Sequence, residues 1–270
     1  MLLHNIKIAW RYLIKQSTLT IINILGLTVG ITVSLLIFIY VRYDMGYDQY
    51  NTMADRIYRI GLHGKMGDTE FTQTYTTPML ASELLNTCPN ILAAVRMDDK
   101  ERFLKYDDGN GNVVIHDEKK IISADSSLFD IFTFKILAGN PREAIKEPGV
   151  IVLTETAVHR YFAGIKSYDE VLNKQLQVKI DDNYVPATIR GVIQDLPEQS
   201  HFHFDILISN ENFPFTHQDN WFNNGFKTYI LLNSENDIKK VTDKLPGIYR
   251  KNMGGERFDA WVAEGNRWQR

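Results

Sequence analysis

A single cysteine, Cys88, stands among 270 residues, so no disulfide closes within the chain and the redox compartment is left open. It precedes Pro89 and reads as a small buried side chain. Basic residues are not in excess, with 30 Lys and Arg against 33 Asp and Glu for a net charge of −3, which argues against a broad nucleic-acid footprint. Phosphate-cradling chemistry is missing too. No G-x-x-x-x-G-K-[ST] stretch occurs, and "GLHGKMG" from Gly61 is too short and lacks the hydroxyl residue. There is no G-x-S-x-G elbow for a nucleophilic serine. "DDGNGN" fails as a calcium loop: counted from Asp108, Val113 and Lys119 stand where the loop needs its Gly and its Glu, so the stretch reads as a hairpin turn. The carboxylate pairs Asp98/Asp99 and Asp181/Asp182 sit beside expected turns, and neighbours on a strand face opposite ways, which makes them poor acid–base partners. "DEKK" from Asp117 reads as a solvated strand edge.

"SHFHFD", Ser200 to Asp205, is the one stretch with metal-site character. Alternation places His201, His203 and Asp205 on one face of an expected strand and Phe202 and Phe204 on the other. The H-x-H-x-D spacing resembles the start of the metallo-β-lactamase motif, but Ile206 stands where that motif continues with histidine, and His217 is the only histidine downstream. A polar strand face is therefore preferred to a metal site, and an anchored metal hydrolase is the weakest of the functional readings.

Charge is also absent, completely, from Gln16 to Val41: "QSTLTIINILGLTVGITVSLLIFIYV". About 20 mostly apolar residues suffice to cross a bilayer as a helix, and a soluble helix of this length shows a polar face that this one lacks. The run exceeds the about 7–15 residues of a signal-peptide core and ends in "FIYVRYDMGYD" without a small-residue cleavage site, so it reads as a retained anchor. Lys7, Arg11 and Lys15 precede it, while Arg42 is followed by Asp44, Asp48 and Asp55. The basic excess on the N-terminal side predicts a cytoplasmic N-terminus and an extracytoplasmic remainder, with Tyr40, Tyr43 and Tyr47 as an outer aromatic belt.

Two features flank or lie within the run. In "NIKIAWRYLIK", Ile6, Trp10, Leu13 and Ile14 share one helical face and Lys7, Arg11 and Lys15 another, the pattern of a helix lying in the membrane surface; the plainer alternative is a basic first turn of the spanning helix. Gly26, Gly30 and Ser34 are spaced by four and offer a small-residue face to another membrane helix, although glycine is common in such helices anyway. The expected organisation is a surface helix over 1–17, a transmembrane helix over 18–42, a mixed domain over 43–250 and a polar tail over 251–270.

Beyond Asp44 short strands and short helices interleave without a regular βαβ rhythm, which predicts an α+β fold. Thr77-Pro78 is expected to open a helix with Leu80, Leu84 and Leu85 on its apolar face. "GVIVLTETAVHRYFAG" predicts a buried strand, a Thr154 cap, a helix and a glycine stop. "QLQVKID" and "YVPATIRGVIQDL" predict a hairpin turning at Asp182-Asn183, and Ser234 is a candidate cap for the last helix. No low-complexity linker divides the domain, so any second subdomain is expected as an insertion in the first.

The order of features carries a family resemblance. "YDQYNTMADRIYRI", "DSSLFDIFTFKILAGNP", "VIVLTETAVHRYFAG" and "IRGVIQDLPEQSHFHFDILIS" follow the basic start and the apolar run. From Asn5 to about Leu232 the chain resembles the N-terminal part of MacB/FtsX-like ABC transporter permeases with their MacB-like periplasmic core domain. Asp55–Ile60, Leu128–Pro141, Val150–Phe162 and Gly191–Asp205 match its characteristic stretches in order. Two places depart from the pattern: Ala163 intervenes before the expected glycine, and Asn173-Lys174 stands where Gly-Lys is usual. Such permeases continue with three further spanning helices, so the sequence is expected to be a fragment or an early-terminated product.

The resemblance implies a permease subunit of the inner membrane with no catalytic residue and no cofactor of its own, ATP being bound by a partner subunit. It implies as partners membrane lipid, a cytoplasmic ABC ATPase, a second permease copy and a periplasmic protein, and no nucleic acid. Trp10, Lys15, Gly26, Gly30, Ser34 and Arg42 would anchor the chain or pack its helices. The alternative is a single-pass anchored sensor or binding domain that works without an ATPase.

Overall fold

The computed structural model describes residues 2–66, 69–107, 113–180, 182–213, 221–256, 258–259 and 267–269. Residues Met1–Asp48 and Gln49–Arg270 form two compact units.

The first unit is two helices. α1 (Leu2–Lys15) and α2 (Ser17–Asp44) are separated at Gln16, whose φ of −111° and ψ of 50° leave the helical region. No residue of α2 is buried within the chain. A soluble core helix of this length would be covered by protein.

The second unit is built on a mixed sheet. Its elements are β1 (Ile57–Met66), β2 (Thr69–Gln73), α3 (Leu80–Thr87), β3 (Ile91–Asp98), β4 (Arg102–Asp107), β5 (Val113–Glu118), β6 (Ile121–Ala124), α4 (Leu128–Ile131), β7 (Ile136–Gly139), α5 (Pro141–Ala144), β8 (Val150–Thr154), α6 (Glu155–Tyr161), β9 (Gln175–Ile180), β10 (Asn183–Ile193), β11 (Ile206–Ser209), β12 (Lys227–Leu232), α7 (Ile238–Met253) and β13 (Arg267–Gln269). The strand order is β13-β1-β12-β3-β6-β11-β8-β10-β9-β4-β5, with β2 paired to β1 and β7 to β10. Only β6 with β11 and β8 with β10 run parallel among the described pairs. This is an α+β architecture behind one apolar helix.

The apolar runs explain the centre of the sheet. β6, β8 and β11 are buried at every position, as strands covered on both faces must be. One core joins α6 to the β4, β8, β9 and β10 strands through Leu104, Leu153, Val158, Val178 and Ile189. A second packs α3 and α7 through Leu80, Leu84, Val241 and Leu245. A third gathers Leu128, Ile131, Phe132, Phe204 and Tyr229 beneath α4. Cys88 is buried.

Local capping follows the sequence in most places. The Thr154 side chain accepts from the Ala157 N–H at the start of α6, and Gly164 takes a φ of 81° after it. Asn140 accepts from the Glu143 N–H with Pro141 at the first helical position of α5. Ser234 caps the short 3₁₀ turn that leads into α7. Strands β9 and β10 form the expected hairpin, and Asn183 is already paired with Ile180, so the reversal precedes it. The tip of the β4–β5 hairpin, expected at "DDGNGN", lies largely outside the described residues, as do His217, Asp181 and part of the 251–270 tail.

Three local expectations are corrected. α3 begins at Leu80 rather than at Thr77-Pro78, and no side chain caps it; the two residues form the preceding turn, where the Leu80 N–H reaches the Thr77 carbonyl at 3.3 Å. Leu85 is 44% exposed, so the buried face of the short helix is Leu80, Ala81 and Leu84. "DEKK" is not wholly solvated, since Glu118 is buried. Finally, "SHFHFD" is irregular backbone, and β11 starts only at Ile206.

Candidate functional site

The anchor comes first in the chain. α1 shows Ile6, Trp10, Leu13 and Ile14 exposed along one side and ends on Lys15. The Thr20 hydroxyl donates to the Leu13 carbonyl at 2.9 Å and the Thr20 N–H to the Gln16 carbonyl at 3.0 Å, which satisfies main-chain acceptors where the two helices part. α2 then runs for 28 residues, which is about 42 Å at the α-helical rise and more than the about 30 Å of a bilayer's hydrocarbon core. Arg42 lies in its last turn. Tyr43 and Tyr47 meet edge to face at 5.8 Å.

Among the described residues, and apart from the adjoining turns of α2's own backbone, Gly26 and Gly30 have nothing within 4 Å of where a Cβ would stand. The Ser34 hydroxyl folds back to the Gly30 carbonyl at 2.8 Å, leaving this strip smooth and self-satisfied. The strip is thus open to another helix, and none within the first unit occupies it.

In the second unit, the stretches that carry the family resemblance meet one another although they are far apart in sequence. The Tyr50 hydroxyl and the Ser200 hydroxyl are 2.9 Å apart. Asn51, buried, accepts the Thr133 N–H on its Oδ1 at 3.0 Å, and the Thr52 N–H donates to the Thr133 hydroxyl at 3.1 Å. Asp195 accepts from both the N–H and the hydroxyl of Thr156 at the start of α6, at 3.1 and 2.6 Å. Burial pushes the Asp195 carboxyl up, but the bonds from Thr156 and Thr154 and the charge of Lys120 outweigh it and hold the carboxyl below its ordinary range. Residues 50–52 open the second unit, so the polypeptide enters the domain already fastened to two distant loops.

A second polar cluster lies under α6. Arg160 donates to Glu118 Oε2 at 2.8 Å and also to Asp205, while the Tyr161 hydroxyl donates to Glu118 Oε1 at 2.6 Å. Burial, then Glu118, pushes the Tyr161 phenol far above its ordinary range, so it remains a donor. His201 Nε2 lies 2.9 Å from the Tyr229 hydroxyl, and His203 faces solvent. His201 and Asp205 therefore have separate partners, and His203 is turned to solvent. No group of three or more His, Cys, Asp or Glu gathers as a metal-holding set among the described residues.

Sequence reasoning missed Asn51, Thr133 and Glu118. Asn51 and Thr133 stand inside resembling stretches, a usable signal; Glu118 carried none, because the residue that buries it lies 42 positions away.

Comparison with known proteins completes the site. The family profile of the MacB-like periplasmic core domain matches residues 20–248. No curated protein sequence matches the chain. Among solved structures, a domain assigned to a permease protein of Porphyromonas gingivalis superposes with a TM-score of 0.64 at 20% identity, covering 81% of this chain and 89% of that one. The periplasmic region of MacB from Actinobacillus actinomycetemcomitans gives 0.47 at 14% identity, over 76% of this chain and 86% of that one. The extracellular domain of the noncanonic ABC-type transporter YknZ from Gram-positive bacteria gives 0.48 at 11% identity, over 79% and 100%. The profile match begins inside α2 and spans most of the chain, and the chain accordingly belongs to the MacB-like periplasmic core domain family.

Proposed function

We propose that this chain is the anchored permease part of a MacB/FtsX-type ABC transporter. The observation that carries the reading is the continuous match from Thr20, inside α2, to Ile248, which makes the apolar helix and the domain a single family unit. On this reading α1 lies on the cytoplasmic face of the inner membrane, with Trp10 in the acyl boundary and Lys7, Arg11 and Lys15 against lipid headgroups. α2 crosses the bilayer, Arg42 marks its outer end, and the domain stands outside. A partner ATPase binds and hydrolyses ATP; this chain contributes no nucleotide-binding residue and no catalytic one.

The residues of the chain transmit rather than react. The strip of Gly26, Gly30 and Ser34 seats a second membrane helix, from another permease copy or from the same assembly, where close approach supplies van der Waals contact. Displacement of α2 reaches the domain through Tyr50, Asn51 and Thr52, whose bonds to Ser200 and Thr133 tie the entering chain to the loops before β11 and β7. The domain then moves against a substrate or a periplasmic partner for export or signalling.

The test is photocrosslinking in cells from a benzoylphenylalanine placed at Lys7. The expected adduct is an ABC ATPase subunit, identified by mass spectrometry. Adducts with lipid alone, or with proteins that are not ATPases, would favour an anchored sensor and overturn the transporter reading.

A further inference from the structure

β4, β5 and α6 border a cavity of about 390 Å³, inside the about 300–1,000 Å³ span of small-molecule sites. Its apolar wall is aromatic. Tyr106 meets Phe162 edge to face at 5.0 Å and Tyr161 at 6.3 Å, and His116 meets Tyr161 at 5.0 Å. These rings brace one another and present an ordered surface to anything that enters.

Among the described residues, the charged lining is Arg160 and Lys174, with no carboxylate. Glu118 and Asp205, which bond Arg160, are 4% and 9% exposed and lie outside the lining. They fix the guanidinium in place from behind and leave it N–H donors beyond the two already used. Lys174 is exposed, with its Nζ 4.9 Å from the Phe162 ring centroid and no acidic partner among the described residues. A fixed guanidinium and an exposed ammonium thus stand beside a wall of aromatic rings.

We infer that this cavity binds a small organic carboxylate with an aromatic or branched apolar body. The body stacks among Tyr106, Tyr161 and Phe162, and the carboxylate accepts from Lys174 and Arg160, the charge-assisted pairing that a carboxylate makes most strongly. A cationic ligand of the same shape finds no carboxylate on the described lining and faces the Lys174 ammonium. Ala163, one of the two departures from the family pattern, lines the cavity, and Lys174 follows the other, Asn173. The site makes no use of the α2 strip or of Asn51, and its existence does not depend on the transporter reading.

The probe is 4-fluorophenylacetate, followed by ¹⁹F NMR against the full chain in lipid nanodiscs, with empty discs as the blank. Saturable line broadening is expected. 4-Fluorophenethylamine, of similar shape and opposite charge, should bind at least about tenfold more weakly, as should the acid to Lys174→Glu, since one hydrogen bond between charged groups is worth that factor. Val114→Trp, at an exposed position on the edge of the cavity, fills the space and should also abolish saturation. No saturable binding, equal binding of acid and amine, or unchanged affinity in both variants would each overturn the assignment.

Discussion

Gly139 and Gly191 lie directly opposite each other where β7 pairs with β10. Each comes from a different stretch of the family resemblance, and each is required by its neighbours. Gly139 has a φ of 73° and would drive a Cβ into the Arg190 carbonyl oxygen, while a Cβ on Gly191 would stand 2.6 Å from the Pro141 Cβ. Two motifs are thus explained by one close approach of β10 to β7 and to the Pro141 ring that follows it. Gly191→Ala should destabilise by about 1–3 kcal/mol through overpacking, and Gly139→Ala by about 2–4 kcal/mol because left-handed strain adds to the clash. Thermal unfolding of the full chain in detergent measures both; unchanged melting would mean the pairing is looser than described.

Asn51 provides the test of transmission. Its buried Oδ1 is the acceptor for the Thr133 N–H, so Asn51→Ala leaves that donor unpaired at a cost of about 1–3 kcal/mol. If residues 50–52 carry motion from α2 into the domain, this variant should remain folded and inserted while transport-coupled ATPase stimulation falls. Full stimulation in a folded Asn51→Ala chain would remove these residues from the coupling route.

Acid should weaken the second unit. Bonds from Thr156 hold Asp195 ionised below its ordinary range, and Lys227 with Tyr75 does the same for Asp99 against the burial that raises it. A carboxyl whose folded-state pKa is depressed contributes stability that is full above the unfolded value, about 3.9, and is lost as pH falls through the lower folded value. Melting temperature should therefore drop below about pH 4, and Asp195→Asn should flatten that drop. Both groups are partly exposed, so each effect is small. An identical slope in wild type and Asp195→Asn would contradict the assignment.

Gly30→Leu separates contacts within the chain from contacts beyond it. Among the described residues, and apart from the adjoining turns of α2's own backbone, nothing lies within 4 Å of the new side chain's first carbon, so the substitution should not disturb α2 itself. Association with a second membrane helix should weaken by about 1 kcal/mol, the scale of one packed contact in lipid. Co-purification of differently tagged copies reads this; undiminished pairing would mean that the small-residue strip faces lipid.

Much of the fold was legible because its signals are local. The Thr154 cap, the uninterrupted Val150–Leu153 run and the glycine after α6 lie within a few residues of one another. Asn173 shows how a departure can preserve a conformation. It adopts a φ of 66° where the family has glycine, and asparagine is among the few other residues that take this backbone readily; its Oδ1 also accepts from Arg190. The failures are non-local. Glu118 looks like a surface charge until Arg160 and Tyr161 arrive from α6. In "SHFHFD" the alternation survives as burial, with Phe202 and Phe204 inside and His201 and His203 outside, but a strand also needs a neighbour, and pairing with β6 begins only at Ile206. The strand order and the Asn51–Thr133 bond depend on contacts that no window of sequence contains.

The proposed function requires that α2 cross a membrane with the second unit outside the cytoplasm. Cys88, the only cysteine, is buried, and burial pushes its thiol up, so single-cysteine labelling is clean. Lys7→Cys and Glu198→Cys place a thiol on the exposed side of α1 and on an exposed loop of the domain. With a membrane-impermeant maleimide on intact spheroplasts, Glu198→Cys should label at once and Lys7→Cys only after permeabilisation. The reverse pattern would contradict the proposed orientation, and release of the chain into the soluble fraction would contradict the anchor itself.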